Sequence, residues 1–351
     1  MPRIVHVVGT GTIGEPLIGL LADHSKDFGL DEVTFHKRTP LKHERPKVES
    51  LVRRGAKLAV DGDSRADFEK LGHKPAFEAR EAIERATVVI DCTPAGNENK
   101  QVYGTVSGPI GFIAQGSEFG FGKMYARGIN DSALAHGQDR FLQVVSCNTH
   151  NLAVVVKTLA ENHDGGFDLE SARFVCMRRA NDISQEKDYI PAPKVSPHDD
   201  EEFGTHQGRD AAHLFKTLGH DLNIYSSAMK VPTQYMHTIW FDLALRAPVT
   251  RAGAIQRFAD NPRIALTEKT SATVVFSFGR DHGYYGRILS QTVVSVPTVT
   301  TRGDHEVLGF CFTPQDGNAI LSSVAATLWF IDPESYEERL QALRPYLFRE
   351  V

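Results

Sequence analysis

Cys147 stands between two apolar runs of different period, and that placement governs what its sulfur can do. Phe141, Leu142, Val144 and Val145 read as a short buried strand, whereas Leu152, Val155, Val156 and Leu159 recur at helical spacing. Ser146 to Thr149 is then a strand-to-helix turn, with the thiol near the first turn of the helix. Unpaired N–H groups there favour negative charge and lower a thiol pKa, so the expected chemistry is that of a thiolate nucleophile. Cys92 follows a central strand, and Cys176 and Cys311 lie inside apolar strands, so these three read as small buried residues. A nucleophile needs a base. His237 in "KVPTQYMHTIWF" is a candidate, and His206 lies with Arg209 in "THQGRD"; with fifteen histidines in the chain, sequence position singles out none of them. Arg178 and Arg179 end the strand "FVCM", where an arginine beside a cleft can clamp an anion in bidentate fashion.

A second set of residues suits a dinucleotide. Gly9, Gly11 and Gly14 form GxGxxG, with Thr12 and Ile13 inside it, directly after one predicted strand and before the helix "EPLIGLLAD". Such glycines allow a tight turn, close backbone approach to a pyrophosphate and close helix packing, while the helix N-terminus faces the anion. After the second strand, where an acid would hold the ribose hydroxyls of NAD, the sequence has Lys37, Arg38 and Thr39. Those residues suit a 2′-phosphate, so NADP is expected in preference to NAD. "VVIDCTPAG" puts Thr93, Pro94 and Gly96 at the carboxyl end of a central strand, the edge where doubly wound sheets bind ligands.

These residues must be positioned by elements of two kinds. Through about residue 147 the segments "RIVHVVG", "LIGLLAD", "EVTFHK", "VESLVRRG", "AKLAVDG", "AREAIERA", "TVVIDCTP", "GFIAQGS" and "RFLQVVS" alternate strand and helix. That alternation predicts an α/β, doubly wound Rossmann domain. Beyond the helix after Cys147, "SARFVCMRR", "MKVPTQYMHTIWFDLAL", "SATVVFSFGRD", "TVVSVPTVTT" and "VLGFCFTP" read as strands with few helices between them. A second, α+β domain on a mixed or antiparallel sheet follows. The expected division is residues 1–147 for the dinucleotide, 148–312 for catalysis and substrate, and 313–351 as a helical segment packing back on the first domain. "PESYEERLQALRPYLF" reads as its closing helix, and the long polar stretch from Asn181 to Asp210 reads as a functional loop.

At 351 residues, 41% hydrophobic and 24% charged, the chain has the composition of an ordinary soluble protein. Four cysteines without a secretory leader exclude a disulfide scaffold and lead to the expectation of a reducing, cytoplasmic compartment. No apolar run reaches the roughly 18 residues of a membrane span. A formal charge of −5 gives no general electrostatic case for nucleic acid.

Along the whole chain the blocks "GTGTIG", "HKRTP", "DCTPAG", "QGSE", "VSCNT", "RRAND", "HQGRD", "VPTQYMH" and "FGRD" resemble, in order, those of the archaeal-type (type II) phosphorylating glyceraldehyde-3-phosphate dehydrogenase family. "VSCNT" followed far downstream by "VPTxxMH" is the specific part. The resemblance implies Cys147 as nucleophile, His237 as its base, and oxidation of a phosphorylated aldehyde through a thiohemiacetal and thioester that inorganic phosphate cleaves. Asn148 is then a donor to the oxyanion, and Thr149, Arg178, His206 and Arg209 serve substrate and phosphate. Gln115 and Gly116 join the cofactor residues, no metal is required, and a homo-oligomer, dimer or tetramer, is implied. Three departures surround the implied phosphates: His150 and Asn151 replace Thr-Gly after the cysteine motif, "THQGRD" replaces a two-histidine motif, and "EKDYIPAPK" replaces Lys-Gly-Pro-Ile-Asn. The alternatives are the same chemistry on another phosphorylated or anionic aldehyde, and a dinucleotide-binding redox sensor or scaffold in which Cys147 is only oxidised.

Overall fold

In the computed structural model, which describes residues 2–182, 185, 189–233 and 235–351, the chain divides into two compact units. One comprises residues 1–123, 134–144 and 322–344, the other 124–133, 145–321 and 345–351. Glu186 to Asp188 of "EKDYIPAPK" and Gln234 of "VPTQYMH" lie outside the described residues.

The first unit rests on runs too apolar to alternate, such as "IVHVV" and "GFIAQ", each buried along its full length. Strands buried on both faces belong to a covered parallel sheet. They are β1 (Ile4–Val8), β2 (Glu32–His36), β3 (Lys57–Val60), β4 (Phe77–Glu78), β5 (Val88–Asp91), β6 (Gly111–Gln115) and, after β7 (Lys123–Tyr125) where the chain first leaves the unit, β8 (Phe141–Val144). Their order is β4-β3-β2-β1-β5-β6-β8 and every pair is parallel. Helices α1 (Gly14–Asp23), α2 (Ser25–Phe28), α3 (Arg45–Arg53), α4 (Arg65–Lys70), α5 (Ala79–Arg85) and α6 (Gly96–Tyr103) fall between the strands, giving the expected α/β alternation. The order reverses at β1, which pairs β2 on one side and β5 on the other with Val8 level with His36 and Asp91. The loops leaving β1 and β5 therefore open a crevice at the carboxyl edge.

The second unit carries the expected mixed sheet. Its strands are β9 (Leu169–Arg179), β10 (Lys194–Val195), β11 (Ile224–Val231), β12 (Thr238–Leu245), β13 (Ile264–Thr267), β14 (Thr292–Ser295), β15 (Thr300–Arg302) and β16 (Glu306–Phe312). The order is β10-β11-β9-β12-β16-β14-β13, with β15 on β16; β9–β11 and β13–β14 are parallel and the rest antiparallel. Helices α7 (Cys147–Ala160), α8 (His206–Lys216), α9 (Arg251–Asp260) and α10 (Ala272–His282) accompany it, more than the sequence led us to expect.

Two expectations are corrected. "SATVVFSFGRD" is helix α10 and not a strand: Val275 and Gly279 are buried four residues apart while Val274 is 46% exposed, a helical stripe that the adjacent valines concealed. "PESYEERLQALRPYLF" is no continuous helix. Pro345 and a tighter 3-10 stretch, Leu340–Tyr346, leave only α12 (Tyr336–Arg339), and the long helix of this region is the upstream α11 (Gly317–Ile331). Rich in apolar residues, with only Asn318, Ser322, Ser323 and Thr327 polar, α11 is buried throughout but for its last residue. Among the described residues no helix is long and apolar enough to cross a membrane.

Candidate active site

The crevice of the first unit is shaped by three glycines with different tasks. Gly9 has φ 95°, and a Cβ on it would stand 3.1 Å from Thr93 Cγ2; a Cβ on Gly14 would stand 2.1 Å from the Gly9 carbonyl oxygen. Both let the turn close on itself and on the β5 loop. Gly11 has nothing within 4 Å of such a Cβ, so its bare backbone leaves room for an incoming group. Helix α1 starts there with Ile13 as N-cap and no side-chain cap; the Glu15 N–H is taken by the Gly11 carbonyl at 3.1 Å and Pro16 has no N–H, so of the first turn Gly14 is the N–H left to meet an anion at the positive end of the helix. Thr12 and Ile13 are half-buried beside it. These features fit a dinucleotide pyrophosphate. The β5 loop is held by buried Asp91, which accepts from the Thr93 N–H at 2.9 Å, the Thr93 hydroxyl at 2.6 Å, Asn99 Nδ2 at 2.7 Å and the Tyr103 hydroxyl at 2.6 Å. Thr93 is thus fixed, Pro94 is exposed and Gly96 opens α6. Burial, and then the Asp91 charge, push the Cys92 thiol well up. Gln115 Nε2 donates to Ser323 Oγ at 2.5 Å, and Gly116 turns the chain at φ 81°. Lys37 is 7% exposed and ion-paired with Glu44, which also takes Lys47 at 2.9 Å, whereas Arg38 is exposed. The two cations expected to face a 2′-phosphate are therefore one engaged and one open to solvent.

In the second unit Ser146 is extended and its Oγ accepts the Thr149 N–H at 3.3 Å, capping α7 so that Cys147 is already its first residue. The turn is shorter than expected. Against the lowering expected at a helix start, burial and then the Asp316 charge push the Cys147 thiol well up, outweighing Arg179. Against its own burial, Asp316 is kept below the ordinary carboxylate range chiefly by Arg179, with Arg287 and His237 adding to it. Arg179, 3% exposed, donates from Nη1 to Gln315 Oε1 at 2.7 Å and from Nη2 to Asp316 Oδ2 at 3.0 Å and Asp182 Oδ1 at 3.1 Å.

His237 lies immediately before β12 rather than within it. Its Nδ1 accepts the Arg179 backbone N–H at 3.0 Å, so the neutral ring carries its proton on Nε2. Burial, and then Arg179, lower its pKa to about 3. No hydrogen bond joins it to the Cys147 sulfur. Asn318 Nδ2 holds the Cys147 carbonyl at 2.9 Å, and Asn148 Oδ1 accepts from Thr313 Oγ1 at 3.2 Å. Thr149 is fully buried with its hydroxyl 2.9 Å from Ser146 Oγ. Arg179 Nε and Gln315 Nε2 are buried donors without a partner. Unsatisfied buried donors are rare in folded proteins and mark a place for an acceptor oxygen.

Adjacent arginines point to opposite faces of a strand, and β9 separates Arg178 from Arg179 in this way. Arg178 lines a cavity of about 310 Å³ with Thr205, His206, Gln207, Arg209 and Asp200. Burial lowers the His206 pKa; Asp210 opposes this while Arg178 and Arg209 add to it. Arg209 is itself bound to Asp210 at 2.8 Å. The structure thus gathers Arg178, His206 and Arg209 in one cavity, and gathers Cys147 and His237 around Arg179 and Asp316. Arg178 also acts electrostatically on His237. Sequence reasoning missed Gln315, Asp316 and Asn318. Their signal was the turn "PQDGN" just after the last sheet strand, a carboxylate and two amides at the start of what was expected to be a helical segment.

No family model matches the chain. It is similar to the glyceraldehyde-3-phosphate dehydrogenase of Pyrobaculum islandicum, 28% identical over 320 residues that span 86% of this chain and 84% of the relative. The protein of the same name from Metallosphaera sedula is 29% identical over 319 residues, 87% and 86% of the two chains. Glyceraldehyde-3-phosphate dehydrogenase 1 of Methanosarcina barkeri is 27% identical over 272 residues, 76% and 77% of the two.

Proposed function

We propose that the protein is a cytoplasmic, homo-oligomeric, NADP-preferring aldehyde dehydrogenase that converts glyceraldehyde 3-phosphate to an acyl phosphate through a Cys147 thioester. The observation that carries this reading is a thiol on the first residue of a capped helix, in one cluster with His237 and two unpartnered buried donors. The names of the relatives point to the same reaction.

Sulfur attack on the aldehyde carbon forms the C–S bond as the carbonyl π pair moves to oxygen, and the thiol proton ends on that oxygen as the thiohemiacetal hydroxyl. The Cys147 backbone N–H, Asn148 and His237 Nε2–H are donors for that oxygen. With Nδ1 engaged by Arg179, His237 begins as a donor; acting as the base implied by the family requires that bond to open or the ring to change tautomer. A nicotinamide cofactor would supply the hydride acceptor for the two-electron oxidation; Gly9, Gly11, Thr12, Ile13 and Gly14 would hold its pyrophosphate, and Thr93, Pro94, Gly96, Gln115 and Gly116 would line the same edge. Arg178, His206 and Arg209 hold the substrate phosphate and the phosphate that cleaves the thioester.

The test is initial-rate measurement with glyceraldehyde 3-phosphate and each nicotinamide, with and without phosphate. Phosphate-dependent formation of acyl phosphate is expected. Turnover only with another anionic aldehyde would transfer the reaction to that substrate, and absence of any acyl-enzyme would overturn the enzyme in favour of a redox-sensing protein.

A further inference from the structure

Asn151 is fully buried in the second turn of α7, where asparagine is a poor helix former and an unpaired amide is costly. It follows Asn148 by three residues, so the two side chains share one face of the helix. Thr313, the residue after β16, stands against both: its Oγ1 accepts from Asn151 Nδ2 at 3.1 Å and donates to Asn148 Oδ1 at 3.2 Å. The Thr313 backbone is fixed by its N–H, which donates to the His237 carbonyl at 3.0 Å. At the far end of the series Cys311 Sγ donates to Asn151 Oδ1 at 3.1 Å. Burial pushes that thiol up to about 12, so it enters with its proton, and sulfur is a weak acceptor. The direction of the whole series follows. Cys311 faces the oxygen of Asn151, which turns the Asn151 nitrogen to Thr313 and leaves the one hydroxyl proton of Thr313 for Asn148 Oδ1. Asn148 Nδ2 is thereby turned away from the series, and it has no hydrogen-bond partner among the described residues.

We propose that Thr313 is a positioning residue for Asn148, the last member of a Cys311–Asn151–Thr313 relay that fixes the Asn148 amide with its Nδ2–H group free to meet the oxygen of a Cys147 adduct. A half-turn of that amide would put an acceptor where the oxyanion needs a donor. Valine at position 313 would keep the branched shape but leave the half-turn unopposed. The relay belongs to this chain, since Asn151 stands where the resembled family blocks have glycine. The inference rests on the proposed covalent reaction at Cys147, but its test uses neither aldehyde nor nicotinamide.

The full-length protein is acylated with p-nitrophenyl acetate and, in parallel, alkylated with iodoacetamide at pH 8, with Cys147→Ser as blank. In the first reaction sulfur adds to the ester carbonyl and the resulting oxyanion collapses to a thioester; p-nitrophenolate leaves with the electron pair of the broken C–O bond, and the thiol proton passes to the buffer. In the second, sulfur displaces iodide without forming an oxyanion. The ratio of the two rates therefore reads oxyanion stabilisation and cancels any change in the thiol itself. Thr313→Val is expected to lower the ratio roughly tenfold or more, and Thr313→Ser, which keeps the hydroxyl, to hold it within about threefold. In an Asn148→Ala background Thr313→Val is expected to lower the ratio by less than about twofold, because the two residues act as one unit. An unchanged ratio in Thr313→Val, or the same loss with and without Asn148, would overturn the proposal. Should Thr313→Val not fold, Asn148→Asp decides, since it keeps an oxygen for Thr313 and lacks the amide donor. A loss as large as that of Asn148→Ala is expected, and a ratio within about twofold of the unmodified protein overturns the proposal. Absence of dehydrogenase turnover alongside the expected ratios would sink the proposed function and leave the positioning role standing.

Discussion

At the residue scale the two neighbouring arginines should part company in every assay. Arg179→Ala would strand the buried Asp316 carboxylate, and breaking a buried pair from one side costs about 3–5 kcal/mol. Urea unfolding should show that loss, together with loss of turnover. Arg178 is half-buried and lines an open cavity, so Arg178→Ala should change stability by under about 1 kcal/mol. Its effect should appear as a ten- to hundredfold rise in the apparent constant for phosphorylated substrate or phosphate, about the 1.5–3 kcal/mol of a charge-assisted hydrogen bond. Equal destabilisation by the two variants would contradict the assignment of Arg179 alone to the buried network. The sequence reading chose Arg178 because a family block carries it; strand alternation already implied that only one of the pair could face the thiol. The strand-to-helix turn that carries Cys147 was legible, but not the Asp316 charge that raises its thiol pKa, since that carboxylate lies 169 residues downstream by residue number.

At the element scale, most amino-terminal strands were legible because runs such as β1 and β6 are continuously apolar, whereas the two-residue β4 (Phe77–Glu78) and the short polar helices α4 and α6 carried no such signal. The region after residue 250 was less legible: a valine pair in α10 favours strand by propensity, and only the exposure of one valine beside the burial of the other reveals the helix. The glycine turn was legible, but not the ion pair beyond β2. Because Glu44 engages Lys37, selectivity for a 2′-phosphate falls mainly to Arg38. Arg38→Ala should reduce the NADP-over-NAD preference about tenfold or more, by the loss of one charge-assisted contact. Glu44→Gln should strengthen NADP binding by freeing Lys37 and Lys47. Titration of both cofactors by fluorescence checks the pair, and an unchanged preference in Arg38→Ala would mean that the loop after β2 does not read the ribose. The cap of α7 is separable from this chemistry: Ser146→Ala should lower stability by about 1 kcal/mol, measured by urea unfolding.

At the scale of the whole molecule, buried neutral histidines should govern behaviour in acid. His6 in the first unit is held at about 3 by burial and then by His36; in the second, burial holds His150 at about 4, and burial followed by Arg179 holds His237 at about 3. An unfolded histidine titrates near about 6.5. Their folded values are depressed, so the unfolded chain takes up protons first as pH falls. Stability from these groups is complete above about pH 6.5 and is lost on the way down to pH 3–4, at up to about 1.4 kcal/mol per pH unit for each. Asp316, also depressed, adds loss in the same direction but in a lower window, below its unfolded value. The raised Cys147 acts in the opposite sense: its contribution is present below the unfolded thiol value of about 8.5 and declines as pH rises through the folded one. The urea midpoint should therefore be nearly flat from pH 7 to 8.5 and fall steeply below pH 6.5. His150→Gln, whose amide can still donate to the Ser146 carbonyl that His150 Nδ1 meets at 2.9 Å, should remove about a third of the acid slope. An acid arm as steep in that variant as in the unmodified protein would show that His150 is protonated in the fold, and with it that the first turn of α7 is open to water.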